Sequence, residues 1–128
     1  MAKTEIPGTE KTPAVLFDPT TGQFELSGCS VHENAHAFFK PLLLEVAAYA
    51  KAPAGSTRVR IAMTYFNSSS AKYILDLLRL LDEAHVAGTS QVSLEWLHEP
   101  DDLDMEEAGQ DYGELLEMPV EVMARPAT

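Results

Sequence analysis

Thr57-Arg58-Val59-Arg60-Ile61-Ala62-Met63-Thr64-Tyr65-Phe66-Asn67-Ser68-Ser69-Ser70 changes character twice within one short stretch. Its first half alternates basic or polar with apolar side chains, the two-residue period of a strand that keeps one face on a core. Its second half turns more apolar, which predicts a central strand whose end becomes buried. Asn67 to Ser70 then supplies a cluster of helix-capping residue types. Beyond them Tyr73, Ile74, Leu77, Leu78, Leu81 and Ala84 make one apolar stripe, with Lys72, Asp76, Arg79, Asp82 and Glu83 on the other side. The spacing predicts a helix over residues 70–87, stopped by Gly88.

Downstream, Val92-Ser93-Leu94-Glu95-Trp96 alternates again and predicts another strand. The acidic stretch from Glu99 to Glu107 leads into a third helix over residues 103–116, and residues 119–123 add an edge strand, where proline is tolerated at the start. Upstream, residues 14–17 and 23–26 read as two short strands joined by Asp18-Pro19-Thr20-Thr21-Gly22, a set of turn formers suited to a hairpin. Gly28 is expected to end the second of them. A first helix is predicted over residues 33–50 from Ala35, Phe38, Phe39, Leu42, Leu43, Val46 and Ala50, with a kink or break near Phe38 because Pro41 sits inside it. Residues 1–12 are polar and expected to fray; residues 1–8 and 124–128 are expected to be flexible.

Strands and helices alternate after an opening hairpin. That order predicts an α/β fold: a single domain, residues 1–128, with a mixed β-sheet and helices packed on it. The layout resembles the anti-sigma-factor-antagonist, or STAS-like, type of domain.

The chain has 128 residues, enough for one core and too few for two. Nine basic against 20 acidic residues give a net charge of −11, which repels phosphate backbones and argues against a nucleic-acid partner. No apolar run reaches the roughly 18 residues of a membrane helix, and the N-terminus lacks the apolar stretch of a signal peptide. A single cysteine, Cys29, excludes an internal disulfide and suits a reducing cytoplasm. Cys29 reads as a small filler rather than a nucleophile.

The corner at residues 65–70 carries the chemistry. A helix start leaves N–H groups without backbone partners, and its dipole makes that end partly positive. A hydroxyl there caps the helix. A phosphate on that hydroxyl gains interactions with the N–H groups while adding nearly two negative charges to the surface. The domain then tolerates a modification that a partner docking on the corner does not, which is what a binding switch requires. The plain alternative is that the three serines only cap.

Several segments together resemble the SiaC family of bacterial regulatory phosphoproteins. They are Thr9 with Thr12-Pro13; Gly28-Cys29-Ser30-Val31-His32-Glu33-Asn34-Ala35; Phe39-Lys40-Pro41; Tyr65-Phe66-Asn67-Ser68-Ser69-Ser70; Leu80-Leu81-Asp82-Glu83-Ala84; Trp96; the acidic segment from Glu99 to Glu106; Gly109; and Asp111. The resemblance spans residues 7–122. It implies a partner-switching protein without catalysis or cofactor. A serine/threonine kinase phosphorylates the first hydroxyl residue after the asparagine, here Ser68, with Ser69 and Ser70 as next candidates. A PP2C-type phosphatase reverses this. The unphosphorylated form binds and activates a diguanylate cyclase, raising cyclic di-GMP in biofilm or aggregation signalling. Tyr65, Asn67, Ser69, Glu33 and Asn34 are the implied partner-binding residues. Two positions depart from the family pattern: Ser68 replaces the usual threonine, and His32 stands where proline is common, loosening the start of the first helix. The other regulatory possibility is an anti-sigma-factor antagonist acting on transcription.

Rival motifs are weaker. His32-Glu33-Asn34-Ala35-His36 matches H-E-x-x-H, which on a helix lets two histidines share a zinc with Glu33 as general base. It falls at a helix start close to solvent, without a third ligand nearby in sequence. Asp101, Asp102, Asp104, Glu106 and Glu107 lack the glycine and spacing of a calcium loop and read as a solvated face favouring the third helix's N-terminus. No metal is therefore expected. Ser68 as a hydrolytic nucleophile lacks a G-x-S-x-G elbow and a local histidine. Tyr65 and Trp96, at strand ends, have two readings: lining a partner surface, or, as the default, packing in or half in the core.

Overall fold

The computed structural model describes residues 2–125. In chain order the elements are β1 (Thr4–Ile6), β2 (Ala14–Asp18), β3 (Gln23–Ser30), α1 (Ala35–Lys51), β4 (Ser56–Phe66), α2 (Ser68–Ala87), β5 (Gln91–His98), α3 (Leu103–Leu115) and β6 (Val120–Ala124). The six strands form one sheet in sequence order. β1, β2 and β3 pair antiparallel; β3 to β6 pair parallel, with one helix in each connection.

The α/β expectation holds, and its physical basis is visible in the strands. Val59, Ile61 and Met63 of β4, Phe24 and Leu26 of β3, and Trp96 of β5 are buried in a single apolar cluster with the helices. The alternate positions face solvent. There Arg60 pairs with Glu95 at 3.3 Å and with Glu25 at 3.9 Å. One dry face and one wet face is what period-2 alternation encodes.

The hairpin between β2 and β3 forms at the expected place. Asp18 organises its turn, accepting from Thr20 N through Oδ1 and from Gly22 N through its carbonyl. Five expectations need correction. Residues 4–6 are not frayed: β1 pairs with β2, because the backbone groups of β2 on that side need partners, and Thr4 donates to Glu45 of α1. Ala124 closes β6, whereas Met1 and residues 126–128 of the expected flexible ends lie outside the described residues. Gly28 does not end β3; it lies inside the strand with φ +96. α1 begins at Ala35, two residues late, and runs through Pro41 unbroken. The hydrogen bond that Pro41 cannot donate would have gone to Ala37, which is exposed, so the carbonyl is not sealed from solvent.

The fifth correction matters most for the site. The end of β4 does not become buried: Thr64 and Tyr65 are exposed. Gly28 aligns with Met63 but Cys29 aligns with Tyr65, so β4 carries one extra residue. Thr64 fills the bulge and donates its hydroxyl to the Gly28 carbonyl at 3.0 Å. One inserted residue inverts the alternation beyond it. Phe66 therefore turns toward Trp96, and Tyr65 turns to solvent with 57% of its surface exposed.

Candidate functional site

Parallel strands deliver their C-terminal ends, and the helix starts that follow, to one edge of the sheet. Ser30 and Phe66 are register partners at the ends of β3 and β4, so the starts of α1 and α2 lie side by side. His36 of α1 meets Tyr73 of α2 there, its Nδ1 3.1 Å from the phenol oxygen. The residues singled out by sequence, Glu33, Asn34, Tyr65, Asn67, Ser68 and Ser69, belong to this edge.

The corner separates the serines by role. α2 starts at Ser68 rather than Ser70, and the cap is Asn67. The Asn67 Oδ1 accepts from Ser70 N at 2.9 Å, and its carbonyl accepts from Ala71 N at 2.9 Å. Ser70 is fully buried: its hydroxyl donates to the Ser30 carbonyl at 3.1 Å and accepts from the Ser30 hydroxyl at 2.7 Å. It is therefore removed from the set of reachable phosphate acceptors. Ser68 and Ser69 are exposed in the first turn. Helix geometry leaves their N–H groups without intrahelical acceptors. Among the described residues no side-chain hydrogen bond holds the Ser68 hydroxyl. The first turn carries no acidic residue that would repel a dianion.

At the neighbouring helix start Asn34 caps α1, its Oδ1 accepting from Ala37 N at 3.1 Å. Glu33 and Asn34 are exposed. The H-E-x-x-H match dissolves here. His32 and Glu33 precede the helix, and His32 Nδ1 accepts from Asn34 N at 2.9 Å, so the two histidines do not stand one turn apart on a helix. Among the described residues no group of three His, Cys, Asp or Glu side chains is placed to hold a metal. Cys29 is half-buried. A cavity of about 300 Å³ lined by Gly22, Gln23, Ser56, Arg58 and Arg60 opens at the other end of these strands, where β3 and β4 begin.

Tyr112 was missed by sequence reasoning. Its hydroxyl donates to the Ala71 carbonyl in the first turn of α2 at 2.8 Å, and its ring packs edge-on against Trp96 at 5.1 Å. Burial pushes its phenol up to about 12. Trp96, fully buried, donates through Nε1 to the Met105 carbonyl at 3.0 Å. α3 is thereby fastened to the back of the corner. No sequence signal separates Tyr112 from any other aromatic on an amphipathic helix. The acidic segment behaves as its charge implies: Asp102 caps α3, accepting from Met105 N at 3.0 Å, with Asp104 and Glu106 in the first turn.

The model of the SiaC family regulatory phosphoproteins matches residues 6–125. The chain belongs to the SiaC family. It is a regulatory phosphoprotein and not an enzyme. An uncharacterized protein of Pseudomonas aeruginosa (strain UCBPP-PA14), PA14_02130, is 30% identical over 124 residues, covering 97% of this chain and 98% of that protein. Among solved structures, apo-SiaC from Pseudomonas aeruginosa superposes with a TM-score of 0.87 at 31% identity, covering 97% of this chain and all of SiaC. SiaC bound to the diguanylate cyclase SiaD, as its activator, superposes with a TM-score of 0.88 at 30% identity, covering 95% and 99% of the two chains. The STAS-like character expected from the order of elements is that of SiaC. No described helix of this SiaC-family chain is long and apolar enough to cross a membrane.

Proposed function

We propose that this chain is a cytoplasmic partner switch whose Ser68 state controls binding to, and activation of, a diguanylate cyclase. One observation carries the reading: within Asn67 to Ser70, Ser68 combines an exposed, uncommitted hydroxyl with the first position of a 20-residue helix. A serine/threonine kinase transfers the γ-phosphoryl group of ATP to Ser68 Oγ. The Oγ–P bond forms, the bond to ADP breaks, and the hydroxyl proton leaves to the kinase. A PP2C-type phosphatase returns the hydroxyl by hydrolysis.

The dianion is favoured by the free N–H groups and the helix dipole, so the fold survives it. A cyclase docked over Tyr65, Asn67, Ser69, Glu33 and Asn34 does not, because the same charge enters a contact it must desolvate. The SiaD complex supports the choice of a diguanylate cyclase over a transcriptional partner, since there the activator is a protein of this fold. The test is intact mass after incubation with ATP and the kinase of the source cells. One addition of about 80 Da is expected, lost in Ser68→Ala. Ser68→Asp should lose binding to a SiaD-type cyclase and its activation. Modification that persists in Ser68→Ala, or undiminished cyclase binding by Ser68→Asp, refutes the switch.

A further inference from the structure

Two buried hydroxyls next to the acceptor have no part in the switch as stated. Ser30 is 2% and Ser70 0% exposed, and they come from segments 40 residues apart. The Ser30 hydroxyl donates to the Ser70 hydroxyl at 2.7 Å, and the Ser70 hydroxyl donates to the Ser30 carbonyl at 3.1 Å. That carbonyl also accepts from Asn67 N at 3.0 Å. Asn67 Oδ1 in turn holds Ser70 N at 2.9 Å. The four bonds close a ring through Ser30, Asn67 and Ser70. Ser68 and Ser69 lie on the short arc between the cap Asn67 and Ser70, so their backbone is fixed from both sides.

Packing alone does not require this arrangement. Two alanines would satisfy the same space without burying hydroxyls, and buried polar groups are tolerated only when fully paired. The ring instead ties the end of β3 to the first turn of α2, at the point where the bulge at Thr64 has already shifted the register of β4. It restricts the corner to one geometry.

Resting on the Ser68 reading above, we propose that Ser30 and Ser70 are positioning residues: their hydroxyl latch holds the corner in the single conformation in which the kinase accepts Ser68. They touch neither ATP nor the transferred phosphoryl group. The kinase then recognises a folded corner rather than an extended strip of sequence. Loosening the latch lowers the fraction of molecules with the competent geometry, which raises the concentration needed for half-maximal rate and leaves the maximal rate alone.

The double variant Ser30→Ala/Ser70→Ala separates positioning from stability. Removing the Ser70 hydroxyl alone leaves the buried Ser30 hydroxyl without its acceptor, whereas removing both leaves nothing unsatisfied, because the Ser30 carbonyl keeps Asn67 N. Initial rates of phosphate incorporation are measured against chain concentration, with clarified lysate of the source cells as kinase and γ-labelled ATP as donor. Thermal midpoints are recorded in parallel. Ser70→Ala should melt lower than the double variant. The double variant should show an apparent KM raised about fivefold with maximal rate within twofold of the parent. Amide hydrogen exchange at residues 70 and 71, whose N–H groups Asn67 holds, should quicken in the double variant, a readout that remains available if Ser70→Ala folds poorly. An unchanged KM in the double variant, a loss confined to the maximal rate, or unchanged exchange at these amides overturns the latch. Incorporation that survives in Ser68→Ala instead sinks the acceptor assignment, and the latch with it.

Discussion

Gly109 lies against the indole of Trp96 so closely that a Cβ added there would come within 2.8 Å of Cγ and Nε1, and nearer still to Cδ1. α3 thus sits on Trp96 by main-chain contact, and its carbonyl at Met105 takes the indole N–H. Gly109→Ala should destabilise the fold by about 1–3 kcal/mol, the usual cost of overpacking, even though alanine favours helices by about 1 kcal/mol. Urea unfolding measures it. A stabilised Gly109→Ala protein would mean that α3 shifts at no cost.

Asn67 supplies the cap that sets where α2 begins. Asn67→Ala should cost about 1 kcal/mol, while Asn67→Asp, which keeps a side-chain acceptor, should cost much less. The pair is read out by thermal unfolding, and equal losses in both would remove capping as the reason.

Asp82 on α2 accepts from Glu117 N at 3.0 Å and from Met118 N at 2.8 Å, holding the turn between α3 and β6. Two backbone donors lose their partner in Asp82→Ala, so a loss of about 1–3 kcal/mol is expected. Asp82→Asn keeps one acceptor oxygen and should fall between. Chemical denaturation orders the three proteins.

Tyr112 predicts alkaline sensitivity. Its folded-state value near 12 stands above the 10.0 of an exposed phenol. Between those values the unfolded chain sheds the proton and the folded chain keeps it. The contribution is therefore whole below about pH 10 and disappears as pH climbs through about 12. Urea midpoints at pH 9 and pH 11 should drop further in the parent than in Tyr112→Phe. A slope identical in the two proteins would place the alkaline loss elsewhere.

Tyr65 tests the docking edge apart from the phosphate. More than half of its surface is exposed, at 57%, so Tyr65→Ala should change stability by no more than about 0.5 kcal/mol. Affinity for a SiaD-type cyclase should fall tenfold or more, as for an aromatic anchor at an interface centre, in a calorimetric titration. Wild-type affinity would move the interface away from Tyr65.

Which elements were legible follows from how local their causes are. The α2 stripe from Ile74 to Ala84 and the alternation in β4 and β5 are periodic patterns, and each element formed where its period lay. β1 was not legible, because a three-residue strand exists only where a neighbouring edge pairs with it. Nor was the exposure of Tyr65, because a bulge is a mismatch between two strands and neither strand encodes it alone.

The corner at residues 67–70 divides the same way. By itself the sequence determined that a strand meets a helix at Asn67, that hydroxyls cluster there, and that the chain carries a regulatory family's pattern, because these are matters of residue type and order. Only the tertiary structure decided which hydroxyl is not free. Ser70 was claimed by Ser30 at the end of β3, and Ser68 and Ser69 were left facing water. Burial depends on what packs against a residue from elsewhere in the chain, and three consecutive serines are chemically alike until that neighbour arrives.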